Sequence, residues 1–416
     1  MTLPQAAPPR AGAPPKGPVW TLGLGAFGLA FALTVTAAYL PPLLGRFTGS
    51  TTLIALVLAA EGVFALALPV VIGPWSDTFH TPLGRRRPFM LVAIGPMAFC
   101  LALLAFMPSF WTTALLVFAF FFAYYVYEPP YRGLYPDLVP EEHYGASQGV
   151  QHLLRGVALG TALVGGGLLF HVWEPWPFLV AAVVTAVACA APVALVREDG
   201  GHGRVFRGVR SYLATSWGLL RAQRDVRRFL LANAAWEGTF AAARTFVVLY
   251  VLVGLGEELP LASLVLGTVA GGYLVAALVA GPVSRRAGLA RVILPASVLY
   301  GLGFLAGGLA TDWQPWYLVA IFLVAIAGGL VMTLAWGLLF TLMPDDARGG
   351  VAGLATTTKG LGLIVGPLAA GAAIDLLGYR ALWPVCGVLV LLSVPLVLSL
   401  ARREARLSGR AGSPAG

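Results

Sequence analysis

Twelve apolar runs of about 20 residues fill most of this chain, and they decide what it can fold into. A helix of about 20 residues crosses the hydrocarbon core of a bilayer, which is about 30 Å thick. Because 58% of the 416 residues are hydrophobic and only 11% are charged, the composition excludes a soluble globular domain. We therefore predict an all-α membrane protein with twelve transmembrane helices, near residues 19–40, 52–72, 88–107, 111–135, 147–170, 175–196, 229–253, 261–282, 291–310, 315–340, 350–373 and 380–401.

The longest interruption between these runs, residues 197–228, carries eight arginines and separates six runs from six. Two sequence echoes indicate a duplication. GPWSD at 73–77 is echoed by GPVSR at 281–285, and LVPEEHYGASQG at 138–149 by LMPDDARGGVAG at 342–353. We expect two pseudo-symmetric six-helix bundles related by an axis along the membrane normal. The predicted segments are a disordered cytoplasmic N-terminus (1–18), an N-terminal bundle (19–196), a cytoplasmic linker (197–228), a C-terminal bundle (229–401) and a cytoplasmic tail (402–416).

The distribution of basic residues predicts the orientation. Of the 27 Lys and Arg residues, 21 fall on segments on the side of the two termini, two (Arg46 and Arg380) on the opposite side and four within the apolar runs. By the positive-inside rule both termini are cytoplasmic. Anionic lipid then accounts for the net charge of +9, with no nucleic-acid partner. The 25 Arg against two Lys, with abundant Ala and Gly, indicate a GC-rich bacterium and hence a bacterial inner membrane.

Seven side chains that ordinarily carry charge lie inside the apolar runs. A charge at the centre of a membrane helix costs about 2.5–3.5 kcal/mol on insertion scales, so these groups are expected to face a protected or watery interior. They outline a polar path through the membrane and predict transport of a polar solute: Glu61, Glu128, Arg132, Arg155, Glu237, Arg244 and Lys359. The internal repeat superimposes Arg155 on Lys359, which places both cations beside one central cavity.

Two motifs carry a family resemblance. GPWSDTFHTPLGRRRPF (73–89) resembles the loop between spans 2 and 3 of the major facilitator superfamily, and its RRRPF ending is similar to the glycoside-pentoside-hexuronide cation symporters and the sucrose transporters. PYRGLYPDL (130–138) resembles PCRALLADL of plant sucrose transporters. The resemblance implies that Glu128 corresponds to a sugar-contacting aspartate of melibiose permeases and Arg132 to the span-4 arginine of sucrose transporters. It likewise implies that Arg155 and Lys359 correspond to the span-5 arginine and span-11 lysine of melibiose permeases.

A carboxylate beside guanidinium groups suits a sugar, because hydroxyl groups both donate and accept hydrogen bonds. Aromatic side chains add faces for the C–H surface of the sugar, although packing or a lipid-interface position is the alternative for each. The aromatic candidates are Tyr39, Tyr124, Tyr131, Trp236 and Trp336.

Several of the charged groups have other readings. The pairs Glu128–Arg132 and Glu237–Arg244 have the spacing of structural ion pairs within one helix. Glu61 is a packing residue, a proton site or a partner of Lys359. Glu237 also remains a substrate-binding candidate.

The resemblance also bears on the coupling ion. The acids that sodium-coupled melibiose permeases carry on span 2 fall on Ala65 and Pro69 here. A sodium cage needs several oxygen ligands, so proton coupling is favoured, with Glu128 as the first candidate proton carrier and Glu61 as the second. The sequence predicts no cofactor and no metal site; the three cysteines lie in apolar runs and are expected to pack there.

The loop after span 2 is the predicted gate, formed by Gly73, Asp77, Gly84 and Arg85. Asp77 is expected to accept hydrogen bonds from backbone N–H groups at the start of span 11, near Gly349. Arg86 and Arg87 are expected to anchor to lipid phosphate, with a contribution to the gate as the alternative. Small residues on spans 5 and 11 predict close helix contacts: Gly156, Gly160, Gly362 and Gly366.

These observations together predict a proton-coupled symporter of a disaccharide such as sucrose or maltose, working by alternating access. A proton-driven exporter of amphiphilic drugs and a non-transporting sugar sensor are the alternatives. An enzyme is not expected, since no Ser-His-Asp, HExxH or clustered Cys/His pattern is found in the sequence.

Overall fold

A computed structural model describes residues 16–78, 81–139, 144–196, 218, 221–310, 312–342 and 348–411. Within these residues, 12 helices are long and apolar enough to cross a membrane. Spans 1 to 6 are Lys16–Leu44, Thr51–Leu58 continued by Ala60–Thr78, Arg87–Leu104, Phe110–Leu138, Tyr144–Val172 and Trp176–Leu195. Spans 7 to 12 are Arg224–Leu249 continued by the π-helical turn Tyr250–Gly254, Leu259–Ala287, Leu289–Gly307, Tyr317–Leu342, Arg348–Leu377 and Leu382–Ala411, which follows the 3₁₀ turn Tyr379–Ala381. The predicted fold class, with twelve helical spans, is confirmed.

The predicted segment boundaries differ from the observed helices at three places. Span 1 begins at Lys16, inside the segment expected to be disordered. Span 7 begins at Arg224, inside the expected linker, and span 12 continues to Ala411 through much of the expected tail. A helix can continue beyond the lipid, so hydropathy underestimates the length of a helix that extends into polar sequence. The rest of the linker, apart from Gly218 and residues 221–223, lies outside the described residues.

Two six-helix halves follow from the helix packing. In the first half span 1 packs on spans 5 and 6, and span 3 on spans 4 and 6. In the second half span 7 packs on spans 11 and 12, and span 9 on spans 10 and 12. The halves meet where span 2 packs on span 11, span 5 on span 8 and span 1 on span 7. The duplication relates span 2 to span 8 and span 11 to span 5. The contact between spans 2 and 11 is therefore equivalent to the contact between spans 8 and 5, as expected for a duplicated bundle.

Twelve crossings place the start of span 1 and the end of span 12 on one membrane face. We call this face the terminal side and the opposite face the far side. Spans 2, 4, 6, 8, 10 and 12 therefore end on the terminal side.

Glycines allow backbone contact between span 11 and its neighbours. A Cβ atom at Gly362 would lie 2.8 Å from the backbone nitrogen of Gly238 on span 7, and a Cβ at Gly366 would lie 2.6 Å from the Gly238 Cα. Span 2 approaches span 11 in the same way, since a Cβ at Gly62 would lie 2.5 Å from the Gly360 carbonyl oxygen. The predicted close contacts at Gly362 and Gly366 are confirmed.

Gly366→Ala is expected to destabilise the protein by about 1–3 kcal/mol, because the added methyl group collides with rigid backbone rather than with a movable side chain. The matched control is Gly156→Ala, at a position where an added Cβ meets nothing within 4 Å. Thermal unfolding of the purified proteins in detergent measures both. Equal unfolding temperatures for the two variants would contradict the backbone contact.

Candidate functional site

Span 4 carries an ion pair in its terminal-side half. The Nε of Arg132 donates to Glu128 Oε1 at 2.5 Å, one helical turn away. The Glu128 side chain is 8% exposed, whereas that of Arg132 is 45% exposed. The acid is thus enclosed and the guanidinium keeps donors available to a second group.

Two further predicted cations lie near this pair. The charges of Arg132, Lys359 and Arg155 all act on the Glu128 carboxylate. Lys359 belongs to span 11 in the second half, and Arg155 to span 5. Arg155 Nε is buried without a hydrogen-bond partner in the described part of the chain. The structure therefore brings together four predicted site residues from three helices and both halves.

A second buried ion pair joins the two halves directly. Arg244 Nη2 of span 7 donates to Glu61 Oε2 of span 2, and Glu61 is only 3% exposed. Glu61 Oε1 and Arg244 Nε have no hydrogen-bond partner among the described residues. Span 4 lies beside both pairs, because Tyr125 is within electrostatic reach of Glu61, Glu128 and Arg244.

This contact corrects two sequence-based pairings. Arg244 does not pair with Glu237 on its own helix, and Glu61 pairs with Arg244 rather than with Lys359. Glu237 is buried and lies close enough to Tyr273 of span 8 to act on it electrostatically. An acid and a base 183 residues apart give no local signal in the sequence.

Three of the five aromatic candidates are structural. Each is fully buried and hydrogen-bonded inside its own half: Tyr39 to the Leu163 carbonyl, Tyr131 to the Leu22 carbonyl and Trp236 to Ser393 Oγ. In this conformation these rings are packed between helices and closed to a ligand, so their role in sugar stacking stays a prediction.

The other two aromatic candidates lie in different surroundings. Tyr124, on span 4, is buried beside the ion cluster, where the charges of Glu128, Arg155 and Arg132 act on it. Trp336 is half-buried and packs against the apolar core of the second half.

The predicted gate on the terminal side forms contacts within the first half. Asp77 Oδ1 accepts from Arg86 Nη2 at 2.7 Å and from Arg86 Nε at 3.0 Å, and Arg86 also donates to the Gly133 carbonyl of span 4. Arg87 Nε donates to the Val193 carbonyl of span 6 at 2.7 Å. The expected lipid anchoring is therefore wrong for the buried Arg86, which belongs to the loop contacts, and for the half-buried Arg87 it stays a prediction.

The remaining gate residues shape the loop. Gly84 has φ +103°, a conformation that favours glycine, and its carbonyl accepts from Thr81 Oγ1. Arg85 is half-buried in the same loop, and Gly73 lies on span 2 facing Pro129 of span 4. In this structure the Asp77 carboxylate is engaged by Arg86, so a contact with the start of span 11 near Gly349 stays a prediction for another conformation.

A carboxylate that sequence reasoning missed joins the halves on the far side. Asp375, near the end of span 11, accepts from Ser50 Oγ (2.7 Å), Thr51 N (2.7 Å), Thr51 Oγ1 (2.8 Å) and Thr52 N (3.0 Å) at the start of span 2. We call these four residues the far-side cluster. The internal repeat gave no signal for this contact, because its offset of 204 residues places Asp375 on His171 of span 5.

Span 5 shows on which side the halves part. Near its far end, Gly167 packs so closely on Ser263 of span 8 that an added Cβ would come within 2.8 Å of the Ser263 Cβ. On the same helix face, two and three turns toward the terminal side, Gly160 and Gly156 meet nothing within 4 Å. The predicted close packing of Gly156 and Gly160 is therefore wrong in this conformation. Together with the far-side cluster, this gradient indicates a cleft that opens toward the terminal side.

Two matching halves, a cleft open on one side and a buried cluster of charges contributed by both halves define a multi-pass membrane transporter. The sequence model of the Major Facilitator Superfamily matches residues 22–263 and 240–415. The chain belongs to the major facilitator superfamily.

Named relatives resemble the chain over short segments. It is 34% identical over 87 residues to the "Proton-associated sugar transporter A" of Mus musculus, a match that covers 20% of this chain and 12% of that protein. The Homo sapiens protein of the same name is 36% identical over 72 residues, covering 17% of this chain and 10% of that protein. This chain thus aligns with only about a tenth of these relatives' own length.

Solved structures match over nearly the whole fold. The nucleoside transporter NupG has a TM-score of 0.73 at 14% identity, covering 92% of this chain and 98% of that chain. A bacterial homolog of the human lysosomal transporter Spinster, in an inward-facing and unoccupied conformation, has a TM-score of 0.73 at 13% identity, covering 94% and 98%. At these identities the likeness concerns the fold alone.

Proposed function

We propose that this transporter is a proton-coupled symporter of a sugar, in particular a disaccharide such as sucrose or maltose, and that it works by alternating access. The cluster of Glu128, Arg132, Arg155 and Lys359 carries the proposal, because it gathers one carboxylate and three cations from both halves. The segment similarity to proton-associated sugar transporters supports the substrate class.

The chemistry of the cluster fits a polyhydroxylated, uncharged ligand. The free lone pairs of Glu128 accept sugar O–H groups, while the half-exposed Arg132 donates its remaining N–H groups to ring and hydroxyl oxygens. Lys359 lies on the opposite half and donates from that side. Tyr124, next to these cations, is the best placed of the predicted aromatic residues to contact the sugar ring.

Glu128 and Glu61 are the proposed proton carriers. Each carboxylate is buried and each is held by one arginine, so binding of a proton releases a guanidinium group for another partner. At Glu128 the released Arg132 becomes available to the sugar, which couples the two ligands. A sodium ion is less suited to either site, because it would compete with the paired arginine for the carboxylate oxygens.

The terminal side is proposed to face the cytoplasm of a bacterial cell, because the positive-inside rule places both termini there. With that orientation the cleft of this structure opens inward. The sugar and the proton bind from the far side in the alternate conformation, in which the far-side cluster is parted and the terminal-side ends of the halves meet.

Glu128→Gln is expected to abolish proton uptake driven by a sugar gradient in liposomes that contain the purified protein, because an amide does not carry a proton. Loss of the charge-assisted bonds is expected to weaken sugar binding by about 12- to 150-fold. A pH-sensitive dye inside the liposomes measures proton entry, and thermal stabilisation by a panel of disaccharides measures binding. The matched control is Glu258→Gln, which removes an exposed far-side carboxylate.

Each alternative function gives a different result in this assay. An exporter of amphiphilic drugs shows no proton entry when sugar is added, and a sensor binds sugar without flux. Proton-coupled sugar uptake at the normal rate in Glu128→Gln would remove Glu128 from the mechanism.

A further inference from the structure

A basic pocket of about 390 Å³ lies where the terminal-side ends of spans 7 and 12 meet. None of its residues belongs to the ion clusters of the transport site. The pocket is lined by Arg224, Asp225, Arg228, Ser399, Arg402 and Arg403.

The charges in this pocket are unbalanced. Asp225 accepts from Arg228 Nη1 at 3.1 Å and also pairs with Arg403, so one carboxylate bridges spans 7 and 12. Arg224 and Arg402 are exposed and have no hydrogen-bond or ion-pair partner among the described residues. Four guanidinium groups against one carboxylate leave a formal charge of +3.

The next acid along span 12 binds the start of span 9. Glu404, one residue after Arg403, accepts from the backbone nitrogens of Leu289 (2.9 Å) and Ala290 (3.1 Å) at the start of span 9. It stabilises the positive end of that helix. Among the residues that line the pocket, Asp225 is thus the one carboxylate that faces the four arginines.

The position of the pocket identifies the kind of anion that fits it. The membrane-crossing part of span 7 begins at Arg224, and that of span 12 ends at Glu404, so the guanidinium groups lie at the level of the lipid headgroups. Exposed apolar side chains continue from the pocket toward the membrane centre on the same helix faces. Leu231 lies two turns from Arg224 and is 54% exposed, and Leu392 lies three turns from Arg403 and is 63% exposed.

We propose that this pocket binds the phosphate of an anionic phospholipid, whose acyl chains lie along the apolar surface beside spans 7 and 12. Guanidinium groups bind phosphate oxygens in bidentate geometry, and basic pockets between membrane helices are suited to such headgroups. Free inorganic phosphate shares the headgroup chemistry but gains nothing from Leu231 and Leu392. The bound lipid adds the counter-charge that Asp225 alone does not supply, and it ties the start of span 7 to the end of span 12.

The test compares lipid binding to delipidated protein by native mass spectrometry and thermal unfolding. The probes are tetraoleoyl cardiolipin, dioleoylphosphatidylglycerol, dioleoylphosphatidylcholine and sodium phosphate. The variant is Arg224→Gln with Arg402→Gln, which changes two exposed arginines that hold no partner among the described residues. The matched control is Arg285→Gln with Arg286→Gln, which removes the same charge from the terminal-side end of span 8.

The native protein and the control variant are expected to retain anionic lipid and to unfold at a higher temperature with it, but not with phosphatidylcholine. Each arginine contributes about fivefold in affinity at a membrane surface, so the pocket variant is expected to bind roughly 25-fold more weakly. Its lipid-free unfolding temperature is expected to match that of the native protein, which separates lost binding from misfolding. Equal weakening in the control would show diffuse surface attraction and overturn the proposal. Stabilisation by sodium phosphate as strong as that by lipid would overturn the assignment to a lipid.

Discussion

Arg244→Gln is expected to destabilise the protein by about 3–5 kcal/mol, because it leaves the Glu61 carboxylate buried without the one guanidinium partner that it has among the described residues. The expected destabilisation is larger than the net stabilisation that the ion pair provides, because the variant leaves a buried charge unpaired. Thermal or urea unfolding of the purified protein in detergent measures it.

The double variant Glu61→Gln with Arg244→Gln tests the cause. It removes both charges, so we expect it to recover most of the stability lost in the single variant. The matched control is Glu237→Gln. It removes a buried acid of span 7 that forms no ion pair among the described residues. If the double variant is as unstable as Arg244→Gln, the two side chains do not act as a pair.

Asp375→Ala is expected to open the far side. The far-side cluster holds spans 2 and 11 together through four hydrogen bonds to one carboxylate, and two of its donors are backbone N–H groups at the positive end of a helix. Even one charge-assisted bond, at about 2 kcal/mol, changes the ratio of two conformations about 30-fold. The population is therefore expected to shift toward the conformation that is open on the far side.

Distances between spin labels measure this shift. Cysteines introduced at Trp111 and Leu309 lie on the far sides of different halves and are 74% and 82% exposed, whereas the three native cysteines are buried. The matched control is Glu174→Gln, because Glu174 pairs with Arg46 inside the first half. We expect longer distances for Asp375→Ala and unchanged distances for the control. An unchanged distribution in Asp375→Ala would mean that the cluster does not set the conformation.

Hydropathy and the internal repeat were sufficient to predict the fold. Each predicted run coincides with a span, because apolar length is what a bilayer selects. The boundaries failed at Arg224 and Ala411, since hydropathy measures contact with lipid and not helix formation.

The ion cluster was predictable for a similar reason. Charge inside an apolar run is costly, which singled out Glu128, Arg132, Arg155 and Lys359, and the structure brings these four together. The partner of each charge was harder to predict. Arg244 pairs with Glu61 because of the way in which the two halves pack, and the spacing of the two residues in the sequence does not predict this pair.

The aromatic residues mark the limit of sequence reasoning at this site. A tyrosine or tryptophan in a membrane helix can bind a ligand, a lipid headgroup or a neighbouring backbone carbonyl, and the residue type alone does not distinguish these partners. Tyr39, Tyr131 and Trp236 bind acceptors on other helices, and only the three-dimensional arrangement reveals those acceptors.

The position of the glycine contact between spans 2 and 11 determines how far each end of the two helices moves when they tilt against each other. Gly360 lies 15 residues before Asp375, which corresponds to about 22 Å along the helix at 1.5 Å per residue. If the two helices tilt about this glycine contact, a change of about 10° displaces the far end by about 4 Å, enough to break every hydrogen bond of Asp375. The same tilt moves the terminal-side ends in the opposite direction. We therefore expect Gly62 and Gly360 to act as a fulcrum, so that opening one mouth of the cleft closes the other.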